Sequence, residues 1–335
     1  MRSVLVTDAS TPVGERLVRE LLDDPAIEHV LAVGPRPQEV ALPFDRPGKL
    51  HYLQADLGRA RHVRTLLFGP ARDLAVDSVL HSALVEDPRE AGRRVHALNV
   101  ESTRELLHLS EGHPTIRRFV LRSFSEVYRI RADLPVLIEE DHPLNIGGNA
   151  PQWIQDRVEA DVTVCTRMGL SPLQIAVVRT AECLAPGTGS QLFDYLESPI
   201  CFRPAGFDPM VNVITIADLV RALRLTLASD AQGVFNVPGL DTLPLSSAVL
   251  KWGRPAIPVP GGWLHPLYRW RERVGGHAFR YGPNRLRFHY SGVLDGTRAR
   301  RVLGYEPAVG VDWPLPVREA AGLRPGSHHE DDGEG

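Results

Sequence analysis

Cysteine is scarce in this sequence: Cys165, Cys183 and Cys201 are the only three in 335 residues. An odd number without ligand spacing excludes a disulfide framework and a cysteine metal knot, and predicts buried, reduced thiols. The thirteen histidines include none paired with a cysteine or acid at ligand spacing, so no metal site is expected. No apolar run reaches the length of a membrane span. The first strand pattern begins at Ser3, which leaves no room for a signal peptide. A cytoplasmic protein is therefore expected. An excess of one charge is also missing, and a net charge of −3 supplies no footprint for nucleic acid. No repeat at solenoid periods is apparent.

What is present starts with Ser3–Val18. A β-branched apolar run leads into a tight turn and then into a helical pattern, with Val13, Leu17 and Leu21 at helical spacing. This is the strand-turn-helix opening of a doubly wound α/β domain, where a dinucleotide pyrophosphate would rest on the helix N-terminus. The glycine fingerprint of such a turn is reduced to Gly14, behind Val13; Asp8 takes the place of the first glycine and Thr11 that of the second. Asp8 tolerates left-handed backbone, so the turn can form. Its carboxylate would nevertheless face the pyrophosphate, and Thr11 adds bulk. Two unit charges about 4 Å apart repel by roughly 4 kcal/mol at an effective dielectric of about 20, so dinucleotide binding is in doubt.

Further strands are expected at 29–34, 50–57, 76–83 and 117–123, with helices between them and a long one from about Glu90 to Ser110. The second strand ends Gly34-Pro35-Arg36-Pro37, without the acid that commonly holds an adenosine ribose. Arg36 is open to two readings, a partner for a 2′-phosphate, which would favour NADP, or a solvated loop arginine. Asp56 and Leu57 mark the exit of the third strand. The alternation predicts an α/β fold, a doubly wound parallel sheet of Rossmann type with a smaller C-terminal substrate lobe. Residues 1–183 are assigned to the dinucleotide-binding-type domain and 184–325 to the lobe, with one strand near 233–238 returning to the sheet; 326–335 form an acidic, disordered tail.

Six short motifs occur in a fixed order: Val79-Leu80-His81-Ser82-Ala83; Asn99-Val100 through Leu106-Leu107; Arg118-Phe119-Val120 through Val127-Tyr128; Val213 through Leu219; Gly233 through Val237; and Thr297-Arg298-Ala299-Arg300 before Leu303-Gly304-Tyr305. With them the chain resembles the extended short-chain dehydrogenases/reductases, the NAD-dependent epimerase/dehydratase family, over residues 3–310. The resemblance implies NAD or NADP as cofactor, with His81, Ser82, Ala83 and Asn99 joining Asp8, Thr11, Val13, Gly14, Arg36, Asp56 and Leu57 in the cofactor site. It also implies a small-molecule ligand such as a nucleotide-sugar, and a homodimer built on helices near 90–110 and 151–168.

In that family a serine or threonine, a tyrosine and a lysine work together on the substrate oxygen. The matching positions here are Phe124, Trp153 and Arg157. Phenylalanine has no donor, an indole N–H is no base near neutral pH, and a guanidinium is a poor copy of an ammonium. Ser123 and Ser125 flank Phe124 but point to the opposite face of a strand. Two stand-ins are open. Glu126 falls where sugar-nucleotide dehydratases carry a glutamate, and is otherwise a solvated loop carboxylate; Tyr128 is otherwise structural. Ile154, Val158, Val162 and Cys165 are expected to form the inward face of the helix that carries Trp153 and Arg157.

Residues 252–290 are rich in aromatic and basic side chains and open to two readings, a segment lying on a membrane interface or a lobe helix whose arginines lie over its tryptophans. Contact with a membrane surface is not expected. The leading reading is a catalytically inactive, nucleotide- or nucleotide-sugar-binding relative of the family. An active NAD(P)-dependent enzyme with a changed catalytic set is one alternative. An interaction protein working through the aromatic-basic lobe is the other.

Overall fold

Alternation along the first strand separates two cores. In β1 (Arg2–Thr7), Val4 and Val6 belong to one apolar cluster and Leu5 to another. The same division recurs in β2 (Ile27–Gly34), where Val30 and Ala32 face one way and Leu31 and Val33 the other. A strand buried on both faces belongs to a parallel sheet covered by helices on each side. The remaining strands of the sheet are β3 (Leu50–Gln54), β4 (Ser78–His81), β5 (Arg118–Phe124), β6 (Gln174–Thr180) and β7 (Gly233–Val237). All pairings are parallel, in the order β7-β6-β5-β4-β1-β2-β3. The computed structural model describes residues 2–314 apart from 148–149 and 276–277. The acidic tail expected at 326–335 lies outside the described residues.

The helices Pro12–Leu22 and Ile216–Ala228 cover one face, through Val13, Leu17, Leu219 and Leu223. Ala60–Phe68 and Ser102–Glu111 cover the other, through Val63, Leu66, Leu106 and Leu107. Chain order reverses between β1 and β4, which opens a crevice beyond their C-terminal ends. Element ends differ from expectation where side chains turn the backbone. β3 stops at Gln54, and the Asp56 carboxylate then accepts the Gly58 N–H at 3.1 Å, holding the turn that follows. The long helix begins only at Arg93, after Gly92 at φ 103°, and carries a π-helical turn over Ala97–Glu101.

The lobe adds a three-stranded sheet of Glu182–Cys183, Met210–Ile214 and Asp241–Pro244, and a parallel pair of Cys201–Pro204 with Ala256–Val259. It has its own core, in which Tyr195, Tyr268, Phe279, Tyr281 and Phe288 are buried. Four aromatic residues of the 252–290 segment, Tyr268, Phe279, Tyr281 and Phe288, are therefore interior. Among the described residues no helix is long and apolar enough to cross a membrane, and no cluster could hold a metal. All three cysteines are free.

The helix Gln152–Cys165 corrects the apolar register expected for it. Ile154 and Val158 are buried, but Val162 and Cys165 are only half-buried, and Asp156, Arg157 and Asp161 point inward instead. Asp161 receives two hydrogen bonds from Arg179 of β6, at 2.6 and 3.0 Å, and one from the Ser123 hydroxyl. Arg179 also donates to the Tyr128 hydroxyl at 2.9 Å, which donates to Asn236 of β7 at 2.7 Å. One guanidinium thus ties helix, β6, β7 and the segment after β5 together. Breaking such a pair strands a charge in the interior. Arg179→Met should therefore lower unfolding free energy by about 3–5 kcal/mol in urea denaturation, and Arg179→Lys, which cannot bond bidentately, should recover only part of it.

Candidate functional site

The turn after β1 is built around backbone contacts that admit little variation. Asp8 adopts φ 59°. The Thr11 hydroxyl donates to the Asp8 carbonyl at 3.0 Å and accepts the Gly14 N–H at 3.1 Å, capping the helix with its own side chain. A Cβ on Gly14 would lie 2.2 Å from the Asp8 carbonyl oxygen, so the surviving glycine is required by the turn itself. Val13 points into the core.

The Asp8 carboxyl lies near Glu86, from the loop after β4, with Arg122 and Arg36 as opposing charges. Burial above all, then the Glu86 charge, pushes its pKa up to about 8. Burial likewise raises Glu86 to about 7, against the pull of Arg122, Arg157 and Arg36. At neutral pH Asp8 is therefore mostly protonated, and the full negative charge expected from the sequence at this turn is corrected to a largely neutral carboxyl. Oδ2 of Asp8, Oε1 of Glu86, Nε of Arg122, Nε of Arg157 and Nε1 of Trp153 are buried without a hydrogen-bond partner among the described residues.

The other expected cofactor positions divide. Thr7, Ser82 and Ala83 meet where the Thr7 hydroxyl accepts both N–H groups, at 3.0 and 3.2 Å. His81 sits between the Thr7 and Thr103 hydroxyls, each at 2.9 Å, and burial lowers its pKa to about 4, so it is neutral. Asn99, on the π-helical turn, accepts the Val85 N–H at 2.7 Å and donates to Asp156 at 3.0 Å. Arg36 is exposed, and its carbonyl accepts the Tyr52 hydroxyl at 2.6 Å. That hydroxyl and Ser10 crowd Gly34, at 2.7 and 3.1 Å from where its Cβ would stand. Asp56 is engaged with Gly58 and Arg59, and Leu57 is buried.

At the three catalytic positions of the resembled family the side chains are packed against one another. The Arg157 guanidinium lies 4.0 Å from the Phe124 ring centre and 5.0 Å from that of Trp153. Arg122 faces Phe124 at 4.9 Å. Arg157 donates to Glu126 at 2.8 Å and to the Gly189 carbonyl at 3.1 Å. Both partners of the ion pair are 4% exposed or less, so Glu126 is not the solvated loop carboxylate that was one expectation. Tyr128 is wholly enclosed, and desolvation pushes its hydroxyl up to about 12. A loop with positive φ at Gly187 and Gly189 runs past this group: a Cβ at Gly187 would stand 3.3 Å from Pro12, and one at Gly189 2.6 Å from Arg157.

Glu86, Arg122 and Glu182 are site residues that sequence reasoning missed. Arg122 left a signal, a charge inside a strand otherwise apolar from Phe119 to Leu121. Glu86 and Glu182 left none. Glu182 is buried and raised to about 7, first by desolvation and then by Glu126. It lines a cavity of about 50 Å³ with Ser125, Asn212, Asn284 and Arg287, between the sheet edge and the lobe.

The cradle carboxyls make stability depend on pH. Asp8 and Glu86 bind protons more tightly in the folded chain, about 8 and about 7 against 3.8 and 4.5 unfolded, so stability falls as pH rises through that interval. His81 has the opposite sign but acts only between about 4 and 6.5. The melting temperature should therefore fall from pH 6.5 to 8, and Asp8→Asn should flatten that fall by about 2–4 °C in a calorimetric scan.

No family model matches the chain. It is 28% identical over 315 residues to uncharacterized proteins of Mycobacterium tuberculosis and Mycobacterium bovis, covering 91% of this chain and 80% of theirs. Among solved structures it is similar to a dTDP-glucose 4,6-dehydratase from Bacillus anthracis in complex with NAD (TM-score 0.67, 16% identity, 92% of each chain). It is similar also to a UDP-glucuronic acid 4-epimerase from Bacillus cereus with NAD (0.65, 17%, 92% of this chain and 94% of that one). A dTDP-glucose 4,6-dehydratase from Streptomyces venezuelae with NAD and TYD bound gives 0.65 at 21% identity, over 92% and 93%. The fold of this chain is thus the one seen in these dTDP-glucose 4,6-dehydratase and UDP-glucuronic acid 4-epimerase structures.

Proposed function

We propose that this chain is a member of the NAD-dependent epimerase/dehydratase family whose hydride-transfer site has been replaced by a buried ion pair, and that it binds a nucleotide or nucleotide-sugar without turning it over. The observation that carries this reading is Arg157. It occupies the lysine position, is neutralised by Glu126 at 2.8 Å, and is held between the Phe124 and Trp153 rings. A guanidinium so held cannot give up a proton, and neither aromatic partner can take one. The groups that serve such chemistry act as a unit, so with all three replaced at most a small residual rate is expected.

The residues of the cradle do not fit a dinucleotide well. Thr11 already occupies the Gly14 N–H that a phosphate would use, the Asp8 carboxyl stands where a glycine would admit it, and Gly187 lies against Pro12 at the helix N-terminus. No hydride step is derived for this chain. The reading that Tyr128 or Glu126 sustains an altered chemistry meets two obstacles: the Tyr128 hydroxyl is bonded to Arg179 and Asn236, and Glu126 is committed to Arg157. The ligand's place under this proposal is the cleft where Glu182 and Arg287 face each other across the cavity, which must widen to accept a nucleotide-sugar.

Titration calorimetry and absorbance assays test this directly. NAD and NADP at about millimolar concentration should give no saturable heat, whereas UDP-glucose or UDP should bind. Neither cofactor should be oxidised or reduced with any sugar nucleotide. Phe124→Ser/Trp153→Tyr/Arg157→Lys should remain silent until Asp8→Gly and Thr11→Gly are added. Tight NAD binding by the wild type, or turnover abolished by Glu126→Gln, would establish the altered-enzyme reading instead.

A further inference from the structure

The segment 252–290 carries seven arginines against a single acid, Glu272, in a chain whose net charge is −3. Its aromatic residues go to two destinations. Tyr268, Phe279, Tyr281 and Phe288 build the lobe core. Trp263 and Trp270 do not: they are 71% and 62% exposed, and Val274 is 70% exposed. The expectation that arginines would cover these tryptophans is therefore corrected.

All three outward residues lie on the helix Gly261–Gly275. With exposed Pro266 they fall at spacings of three, four and four residues, one ridge along one side of the helix. The ridge runs about 16 Å at 1.5 Å per residue. Leu264 and Tyr268 hold the opposite side in the lobe core. Exposed Arg269 and Arg273 follow the ridge along one flank. Glu272, the one acid, is paired with Arg280 at 3.2 Å, and Arg271 turns inward to the Ile200 carbonyl at 2.6 Å. The outward face thus combines indole rings and branched apolar carbon with positive charge that has no ion-pair partner among the described residues.

We propose that this face docks on an anionic lipid surface, the helix lying in the plane of the interface with Trp263 and Trp270 at headgroup depth. Indole rings partition to that depth, and adjacent arginines are drawn to acidic headgroups. A second copy of the chain would bring the same positive flank against itself. The chain's own residues 315–335 carry five acidic side chains but no Phe, Tyr or Trp ring, and their branched apolar side chains are Leu315, Val317 and Leu323 only. An anionic bilayer supplies both complements. The docking is peripheral, since no described helix can span.

Cosedimentation of the full chain with vesicles tests the assignment, independently of what the cleft binds. Vesicles of phosphatidylcholine with about 30% phosphatidylserine should retain the protein, and pure phosphatidylcholine should not. Trp263→Ala/Trp270→Ala should weaken retention at least about tenfold, and so should Arg269→Glu/Arg273→Glu. Both pairs lie outside the core, and unchanged circular dichroism and melting would confirm intact folding. Absence of retention on the acidic vesicles overturns the proposal. So does equal retention of wild type and both variants, or equal binding to the neutral vesicles. Self-association of the wild type without vesicle binding, lost in the tryptophan variant, would assign the face to a second copy; capture of an acidic protein without vesicle binding would assign it to that partner.

Discussion

Three guanidinium groups enter the interior at the C-terminal ends of β5 and β6 and on the helix beside them, and each must be compensated by carboxylate. Arg179 is fully answered, by the Asp161 carboxylate, the Tyr128 hydroxyl and the Glu140 carbonyl. Arg157 is answered by Glu126 and one carbonyl, but its Nε is left over. Arg122 has a single carbonyl hydrogen bond, to Thr188 at 3.2 Å, and otherwise only the nearby charges of Glu86 and Asp8. Satisfaction declines from β6 toward β1. Among the described residues, five of the ten unpartnered buried side-chain atoms, on Asp8, Glu86, Arg122, Arg157 and Trp153, lie along this series; the others are scattered over Arg118, Arg203, Asp218, Arg224 and Tyr281. Burying an uncompensated polar group is costly, so a run of them at one place marks a site rather than a scaffold.

The side chains at 124, 153 and 157 are physically coupled. Phe124 supplies a π face. A tryptophan at 153 supplies a second face, and an arginine at 157 provides a flat cation to fill the gap between them. Glu126 then neutralises that cation at short range. Reverting any one of these would leave a ring without its cation or a buried charge without its partner. The group is therefore held by packing and electrostatics together.

The lobe repeats this economy of charge at the surface. Its inner aromatic cluster, with Tyr268 stacked on Tyr281 at 5.3 Å, anchors the helix Gly261–Gly275. Anchored on one side, the helix presents the other to solvent in a fixed orientation, so its outer tryptophans and arginines act as one face. The arginine that could have hidden a tryptophan, Arg271, is instead spent on the Ile200 carbonyl and lies 5.9 Å from the Phe202 ring.

Much of the fold was legible from the sequence alone. Alternation in Val4-Leu5-Val6 and the helical spacing of Val13, Leu17 and Leu21 announce a doubly wound sheet, because side-chain periodicity is a local property of the backbone. The presence of Phe124, Trp153 and Arg157, and of Gly14 in the turn, was equally local. The protonation of Asp8, the burial of Glu126 and the partner of Arg157 were not. Each depends on groups distant in sequence, such as Glu86, Arg122 and Gly189, brought together only by β4, β5 and the loop after β6. The exposure of Trp263 and Trp270 was undecided for the same reason: a helix of mixed aromatic and basic residues has two faces that could turn inward, and only the packing of Leu264 and Tyr268 into the lobe core selected one. Sequence determined which elements form and which side chains stand at each position; tertiary structure decided which charges survive burial and which face meets the outside, because desolvation and pairing energies exist only once distant residues are in contact.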